Sequence, residues 1–343
     1  MNCDMKKAFM PVVLGVLLMS GACGDWTEPE NLDFRRPTPE EQNPEAYGHY
    51  LAALRDYKQQ PHKVSMMTVR GTSERPTLQT QHLTAMPDSI DFICVEQAEG
   101  LHPVLAAEIG EVLATKGTRT LCMVDYATID ASWALLEEAR EEAGQPAGTD
   151  EEYASYYAEQ TRRQLACCDA SGFAGIVVSY QGRRATDRDI SGQNAFMGAV
   201  AEWREAHAGQ LMFLRGNTQN LLDEYKPLLL KSDYIIVLSE SFKTPAELTR
   251  AVQRKLDSDD NFPADRFLLE VSIPSLEDPT QVGATAQVGA EWVVEAEEGF
   301  TKCGLGFSNA QDDYYNATRI YNNIRQAIRI MNSNTANDHE ENL

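Results

Sequence analysis

One stretch in the middle of the chain ends in two polar side chains that could hold a ligand. Residues 172–182 read GFAGIVVSYQG, an apolar run typical of a buried β-strand that ends in a loop. Because side chains alternate along a strand, Ser179 and Gln181 share one face with Val177, and Tyr180 lies on the other. A hydroxyl and an amide donate and accept hydrogen bonds, but neither supplies a proton as a catalytic acid does. The strand end therefore predicts binding of polar groups, with Val177 packed beneath.

Carboxylates elsewhere leave acid catalysis open. Glu96, Asp125 and Glu240 lie near the ends of other apolar runs, and Glu270 lies in the middle of one. A charge in mid-strand must pair inside the protein, and we expect Glu270 to pair with Arg215 or Arg70. For Asp125 and Glu240 an ion-paired or hydrogen-bonded role is favoured, and a catalytic acid is the alternative.

Aromatic and amide side chains near other strand ends could complete a site. Tyr126 lies just past one apolar run and Phe242 just past another, while Asn217 ends a third. Small-molecule sites commonly combine rings with a few well-placed polar groups, and this mixture suits a neutral sugar better than a phosphate.

The sequence predicts no metal, cofactor or nucleic-acid site. The histidines lack H-x-x-x-H and H-E-x-x-H spacing, and the cysteines form no C-x-x-C pair. The stretch VRGTSERP after the first predicted strand has no glycine-rich phosphate loop, and the formal net charge of −22 would repel a phosphate backbone. Most cysteines are expected to be small buried side chains, although Cys94 and Cys122 could form a disulfide if their strands are neighbours.

The elements that position these side chains follow from the order of the apolar runs. Eight short runs alternate with helical patterns, and their continuous hydrophobicity is typical of parallel strands covered on both faces. They predict an α/β fold, a single-domain (β/α)8 TIM barrel with its site at the carboxyl ends of the strands. The strands are predicted at 63–71, 90–97, 119–126, 172–182, 210–217, 234–241, 266–275 and 304–310, and the helices at 46–60, 102–117, 151–172, 194–209, 244–256 and 312–332.

The fourth predicted strand resembles the signature of glycoside hydrolase family 18, the chitinases and endo-β-N-acetylglucosaminidases. The family pattern is D-G-x-D-x-D-x-E, and here Ala174, Val177 and Ser179 fall on the three Asp positions and Gln181 on the catalytic Glu. The stretches CGDWTEPE, YLAALRDYKQQPHKVSMM, MPDSIDFICVEQ and KGTRTLCMVDY resemble the Bacteroidota lipoprotein branch of that family. The resemblance covers most of the chain after residue 23, but all four acidic positions are replaced.

The resemblance implies a site that has lost its chemistry. Family members cleave with help from the substrate's own N-acetyl group, and such enzymes depart from the usual two-carboxylate scheme. In them the Glu protonates the leaving oxygen, and the Asp two residues earlier holds the acetamido group. Gln181 cannot give a proton, and Ser179 cannot offset the positive charge that develops on the ring formed by the acetamido group. The family's tryptophan at the eighth strand end is also missing, since only Phe307 is found there.

The N-terminus predicts export and membrane anchoring. Residues 1–22 combine a short basic segment with an apolar run too short to span a bilayer, and small residues precede Cys23. This order resembles a bacterial lipobox and predicts a signal peptide at 1–22 and lipidation of Cys23. Residues 23–45 have the composition of a flexible acidic tether, the barrel is predicted at 46–332, and a disordered tail at 333–343.

Together these features predict a non-catalytic, surface-exposed outer-membrane lipoprotein that binds N-acetylglucosamine-containing glycans such as N-glycans. Its expected partners are an oligosaccharide, the membrane and components of an outer-membrane glycan transporter, and not nucleic acid. The alternatives are an active endo-β-N-acetylglucosaminidase with a relocated acid, Glu240 or Asp125, and a structural subunit of an uptake complex. The predicted glycan-binding residues are Gln181, Ser179, Tyr180, Tyr126, Asn217 and Glu240.

Overall fold

The computed structural model describes residues 38–239, 241–278, 280, 283–296 and 299–340. The predicted signal peptide, Cys23 and most of the predicted tether therefore lie outside the described residues. The chain divides into two units, Met1–His49 and Tyr50–Leu343. Within the described residues, no helix has the length and apolar character needed to cross a membrane.

Eight parallel strands close into a barrel in sequence order, and β1 pairs with both β2 and β8. The predicted (β/α)8 barrel is confirmed. Seven of the predicted runs contain their strand, and β8 begins at Lys302, two residues before the run predicted for it. The runs mark the strands because a strand covered on both faces needs apolar side chains at almost every position. The strands are β1 Val64–Arg70, β2 Phe92–Glu96, β3 Arg119–Asp125, β4 Gly175–Tyr180, β5 Leu211–Gly216, β6 Tyr234–Leu238, β7 Phe267–Ser272 and β8 Lys302–Ser308.

Helices lie between and around the strands. Thr149 and Thr186 begin two of them in capping boxes, in which the threonine and the acidic residue three positions later satisfy each other's backbone N–H groups. The helix that begins at Tyr126 was not among those predicted. The helices are α1 Pro39–Gln42, α2 Pro44–Lys58, α3 Pro103–Lys116, α4 Tyr126–Glu142, α5 Asp150–Ala170, α6 Asp187–Ala206, α7 Pro227–Lys231, α8 Pro245–Leu256, α9 Ala286–Val294 and α10 Asn322–Glu340.

Alternation along the strands divides the core into two layers. Met66, Phe92, Val177 and Phe213 point into the barrel, where the rings of Phe92 and Phe213 meet edge to face at 5.0 Å. The opposite faces of the strands pack against the helices in a larger outer core. The inner positions nearest the carboxyl ends are polar, and these positions form the floor of the barrel mouth.

The disulfide differs from the pair suggested by the sequence. Cys122 is bonded to Cys168 on α5, with their Cα atoms 5.4 Å apart, and Cys94 is a buried thiol. Strand alternation explains the difference, because Cys94 belongs to the inner core and Cys122 to the outer one, against the helices.

Both ends of the barrel region also differ from the sequence expectation. Residues 39–42 are helical where a tether was predicted, and the backbone is helical as far as Glu340 where a disordered tail was predicted to begin at residue 333. The final helix was predicted from residue 312, but residues Ala310–Tyr315 form a 3₁₀ helix and α10 begins only at Asn322. The left-handed backbone of Tyr321, with φ of 56°, separates the two.

Candidate functional site at the barrel mouth

Gln181 lies at the rim of the mouth with its side chain exposed to solvent. The backbone around it is fixed by the neighbouring strand, since the N–H of Asn217 donates to the carbonyl of Tyr180 at 2.7 Å and the Asn217 side chain donates to the carbonyl of Gln181 at 3.1 Å. Gly216 allows this close approach. Its φ is 93°, and a Cβ there would lie 2.5 Å from the Tyr180 carbonyl oxygen. The structure therefore brings two predicted residues, Gln181 and Asn217, together.

Asn217 also lines a cavity of about 350 Å³ between the ends of β5 and β6 and helix α8. Phe242 lies half-buried in its wall, with the Arg254 guanidinium 5.0 Å from the ring centre. Lys255 donates from its buried Nζ to the carbonyl of Gly216 at 2.5 Å and to Oε1 of Gln219 at 2.6 Å. The predicted residues Asn217 and Phe242 thus line the same cavity, whose wall is partly polar and partly aromatic.

Beneath the rim, Ser179 belongs to a buried ion-pair network with Arg215 and Glu270. Arg215 donates from Nη1 to Ser179 Oγ at 2.9 Å, from Nε to Glu270 Oε2 at 2.9 Å and from Nη2 to Glu270 Oε1 at 2.6 Å. Ser179 is fully buried and Glu270 is 3% exposed. Strand register explains the contact with Ser179, because Ser179 and Arg215 are direct partners across β4 and β5. The predicted pairing of Glu270 with Arg215 is confirmed.

The buried ion-pair network keeps a permanent positive charge next to position 179. Burial alone would lower the pKa of Arg215, but the charge of Glu270 and the hydrogen bonds to it together raise that pKa above its usual value. Arg215 was predicted only as a partner for Glu270, and its contact with Ser179 was not predicted. Two signals could have revealed it: Arg215 lies two residues after the inward-facing Phe213, and β4 and β5 are consecutive strands.

Glu96, one of the carboxylates that the sequence offered at the strand ends, also lies at the mouth, although it was not among the residues predicted to bind glycan. It ends β2 and lines two cavities, one of about 280 Å³ with Asp125 and Gln164, and one of about 300 Å³ with Arg70. Burial raises the pKa of Glu96, the charges of Glu270 and Asp125 raise it further, and Arg215 and Arg70 act in the opposite direction.

Asp125 has a structural task at the mouth. Its Oδ2 accepts hydrogen bonds from the backbone N–H of Thr128 at 3.0 Å and from Thr128 Oγ1 at 2.7 Å, so it caps the start of α4. Its own backbone N–H donates to Gln164 Oε1 at 2.7 Å. Asp125, a candidate for the relocated acid, therefore uses its carboxylate to cap α4, while its backbone N–H is bonded at the end of β3.

Tyr180 and Tyr126 were predicted to bind glycan, and the structure places both in the outer core. Tyr180 is 1% exposed and Tyr126 is 6% exposed, and their rings meet at 5.1 Å. The Tyr180 hydroxyl accepts from Gln193 Nε2 at 2.6 Å, and burial raises the Tyr180 pKa to about 12. Tyr180 has the parity opposite to Ser179, and Tyr126 begins a helix that folds back over the strands. Neither ring is positioned to contact a ligand in the mouth.

The remaining predicted positions fall in three places. Val177 is buried in the inner core, as expected, and Ala174 packs half-buried against the same core just before β4. Phe307 is fully buried in the outer core, so it does not supply the ring that the family places at the eighth strand end. Glu240 lies outside the described residues.

Comparisons with known proteins place these observations in a family. The sequence profile of glycoside hydrolase family 18, BT1044-like, matches residues 27–330. No curated protein matches the chain significantly. Among solved structures, a selenomethionine Glu-to-Gln variant of BT1044 is 16% identical with a TM-score of 0.56, covering 87% of this chain and 96% of its own.

A second solved structure is the endo-β-N-acetylglucosaminidase of Cordyceps militaris in apo form. It is 15% identical with a TM-score of 0.56, covering 83% of this chain and 96% of its own. A double variant of that enzyme, with Asp and Glu replaced by Asn and Gln, was solved with fucosyl-N-acetylglucosamine-Asn; it is 16% identical with a TM-score of 0.54 over the same shares. At these identities the likeness shows the barrel fold alone.

Proposed function

Since the chain belongs to glycoside hydrolase family 18, in its BT1044-like group, we propose that it binds glycans at its barrel mouth without cleaving them. The ligand class is an oligosaccharide that contains N-acetylglucosamine, such as an N-glycan. The observation that carries the proposal is the buried ion-pair network at position 179, together with the amide of Gln181 at the position of the catalytic acid.

The amide at position 181 removes general acid catalysis. A positioned acid typically contributes about 10²–10⁴-fold to a rate. Gln181 keeps nearly the shape of Glu, so it can still hydrogen bond to a sugar oxygen from its exposed position at the rim. A side chain that keeps the shape of Glu but cannot act as an acid supports binding of the sugar and not its cleavage.

The buried ion-pair network removes the second catalytic function. Family members need a carboxylate beside the acetamido group to offset the positive charge that develops there. Here Ser179 is neutral, and the group that it contacts is the Arg215 guanidinium, 2.9 Å away. The group beside Ser179 is thus a guanidinium and not a carboxylate, whereas stabilisation of a developing positive charge depends on preorganised groups of the opposite sign.

Several features of the mouth support binding. Gln181 is exposed, Asn217 lines an adjacent cavity, and Phe242 supplies part of an apolar wall. The net charge of −22 suits a neutral or cationic ligand. The double variant of the C. militaris enzyme was solved with fucosyl-N-acetylglucosamine-Asn, which makes N-glycan fragments the first ligands to test.

The proposed place of action is the bacterial cell surface. A signal peptide at 1–22 and lipidation at Cys23 would hold the barrel on the outer membrane, beside transporter components that take up the bound glycan. Metabolic labelling with a fatty-acid analogue tests this step. Wild-type protein should be labelled and Cys23→Ser should not, and labelling of both would contradict lipidation at Cys23.

Incubation of the purified protein with a high-mannose and a complex glycoprotein tests the proposed function. We expect no glycan release by mass spectrometry, together with retention of N-acetylglucosamine-containing glycans on an array. Gln181→Ala should weaken retention, whereas Gln253→Ala, a matched exposed glutamine on α8, should not.

The other outcomes distinguish the alternatives. Release of product would contradict a binding-only role and favour an active endo-β-N-acetylglucosaminidase with Glu240 or Asp125 as the acid. The capping role of Asp125 argues against that residue. Neither binding nor release would favour a structural subunit of an outer-membrane uptake complex.

A further inference from the structure

A cavity of about 300 Å³ opens between the ends of β1, β2, β7 and β8. Since the barrel runs in order from β1 to β8, this hollow lies on the side of the mouth opposite β4 and β5. We call it the β8-side cavity. Its lining residues include Thr68, Arg70, Glu96, Leu276, Gln311 and Asp312.

Thr68 gives the β8-side cavity a buried hydroxyl that lacks a partner. Its side chain shares the inward parity of Met66, is 3% exposed and lines the cavity, yet Oγ1 has no hydrogen-bond partner among the described residues. Buried polar atoms in folded proteins nearly always have a partner, so an orphaned one beside an open cavity indicates a position for a ligand or solvent oxygen.

The walls of the β8-side cavity are held in place before any ligand arrives. Gln311 accepts from the backbone N–H of Arg70 at 2.9 Å and donates to the carbonyl of Thr80 at 2.7 Å. Asp312 accepts from the backbone N–H of Leu276 at 3.0 Å. These bonds tie the loops after β1, β7 and β8 together, and a preformed pocket loses less entropy when it binds.

Tyr315 supplies an exposed aromatic ring on the 3₁₀ helix that carries two lining residues of this cavity, Gln311 and Asp312. It ends the 3₁₀ helix that contains Asp312, and residues three apart in such a helix lie on the same side. Tyr315 is 50% exposed, while the neighbouring Tyr314 ring anchors the turn at 5.3 Å from Tyr315 and 5.6 Å from Tyr321. Leu276, 58% exposed in the cavity wall, extends the apolar surface.

We propose that the β8-side cavity is a separate saccharide subsite that holds a neutral pyranose, with Thr68 Oγ1 bonding a ring hydroxyl and Tyr315 stacking on the apolar face of the sugar. The inference rests on the proposed glycan-binding function, but it uses neither Ser179 nor Gln181. An amphipathic pyranose fits because the cavity combines fixed hydrogen-bonding groups with an aromatic and an aliphatic side chain.

Matched variants test the subsite with fluorescently labelled chitotetraose and a labelled high-mannose glycopeptide. Thr68→Val removes the hydroxyl at almost constant shape. Thr120→Val is its control, because Thr120 Oγ1 is also buried without a partner among the described residues but lies outside the cavity. Tyr315→Ala removes the ring, and Tyr50→Ala, which removes a 46% exposed ring on α2, is its control. Binding to the full chain is measured by fluorescence anisotropy.

We expect Thr68→Val and Tyr315→Ala each to raise the Kd for at least one probe about three- to tenfold, the range that the loss of one hydrogen bond or one ring contact usually produces. The two controls should leave Kd unchanged, and all four variants should unfold cooperatively. Binding by the wild type that Gln181→Ala weakens but Thr68→Val and Tyr315→Ala do not would overturn the subsite alone. No binding of either probe by the wild type would overturn both proposals.

Discussion

The two sides of the barrel mouth differ in what their polar groups already contact. On the β4–β5 side, Ser179 is bonded to Arg215 and Arg215 to Glu270, so these buried groups satisfy one another. On the β8–β1 side, Thr68 Oγ1 has no partner in the described part of the chain, and the loop after β8 carries the exposed ring of Tyr315. The proposed loss of catalysis and the proposed saccharide subsite therefore depend on residues at different strand ends.

The largest expected effect comes from breaking the buried ion-pair network. Glu270→Ala would leave the Arg215 guanidinium buried without its carboxylate, which typically costs about 3–5 kcal/mol. We expect that loss in the free energy of unfolding, measured by urea denaturation. The double variant Arg215→Met/Glu270→Leu should recover most of it, since apolar replacement of a whole buried pair is often neutral.

An exposed ion pair supplies the control for this prediction. Glu202→Ala removes a surface partner of Arg162, 3.4 Å away, and such pairs contribute at most about 1 kcal/mol. If Glu270→Ala lowers the free energy of unfolding by no more than Glu202→Ala does, the buried ion-pair network does not stabilise the β4–β5 side. The contrast between the two sides would then disappear.

The second prediction concerns the restoration of catalysis. In Ser179→Asp/Gln181→Glu the new carboxylate at position 179 would meet the Arg215 guanidinium, which would hold it away from an acetamido group. We therefore expect glycan release from this double variant to stay at the limit of detection, which is the baseline for the next variant. Adding Arg215→Met/Glu270→Leu should raise release at least about tenfold, because a hydrogen bond to a charged group contributes about 1.5–3 kcal/mol.

Release is measured by mass spectrometry of glycans from a high-mannose glycoprotein, with thermal unfolding as the check on folding. Strong release by the double variant would show that the buried ion-pair network does not block the site. Catalysis would then have been lost at Ser179 and Gln181 alone.

Much of the fold could be predicted because its physical causes are local. The runs that form β4 and β7 are continuously apolar, as strands buried on both faces must be, and the charge of Glu270 within β7 required a partner. Alternation also placed Val177 in the inner core. These inferences depend only on neighbours along the chain or on a general cost of burial.

The rest of the site depends on contacts that distant loops make. Tyr126 follows a strand in the sequence, but a helix begins there and turns its ring into the outer core. Tyr315 was expected inside a long final helix, and the left-handed backbone at Tyr321 leaves it in an exposed 3₁₀ turn instead. The Thr68 hydroxyl lacks a hydrogen-bond partner among the described residues because no neighbouring polar group lies within reach of it. The positions of those neighbours depend on the folded loops and cannot be predicted from a sequence pattern.

The smallest expected effect concerns Glu96, the carboxyl that lines the β8-side cavity and faces the network. Burial and the charges of Glu270 and Asp125 raise the Glu96 pKa above its ordinary value of 4.5, against the opposing charges of Arg215 and Arg70. The folded protein therefore binds this proton more tightly than the unfolded chain, and this carboxyl contributes stability in acid that is lost as the pH rises through its folded pKa.

Glu96→Gln should accordingly raise the melting temperature at pH 7.5, and its advantage should shrink towards pH 4. Glu99→Gln, which removes only an exposed partner of Arg163, is the control and should leave the difference between these pH values unchanged. A Glu96→Gln variant less stable than the wild type at pH 7.5 would mean that Arg215 stabilises the Glu96 carboxylate, so that the positive charge on the β4–β5 side would reach across the mouth.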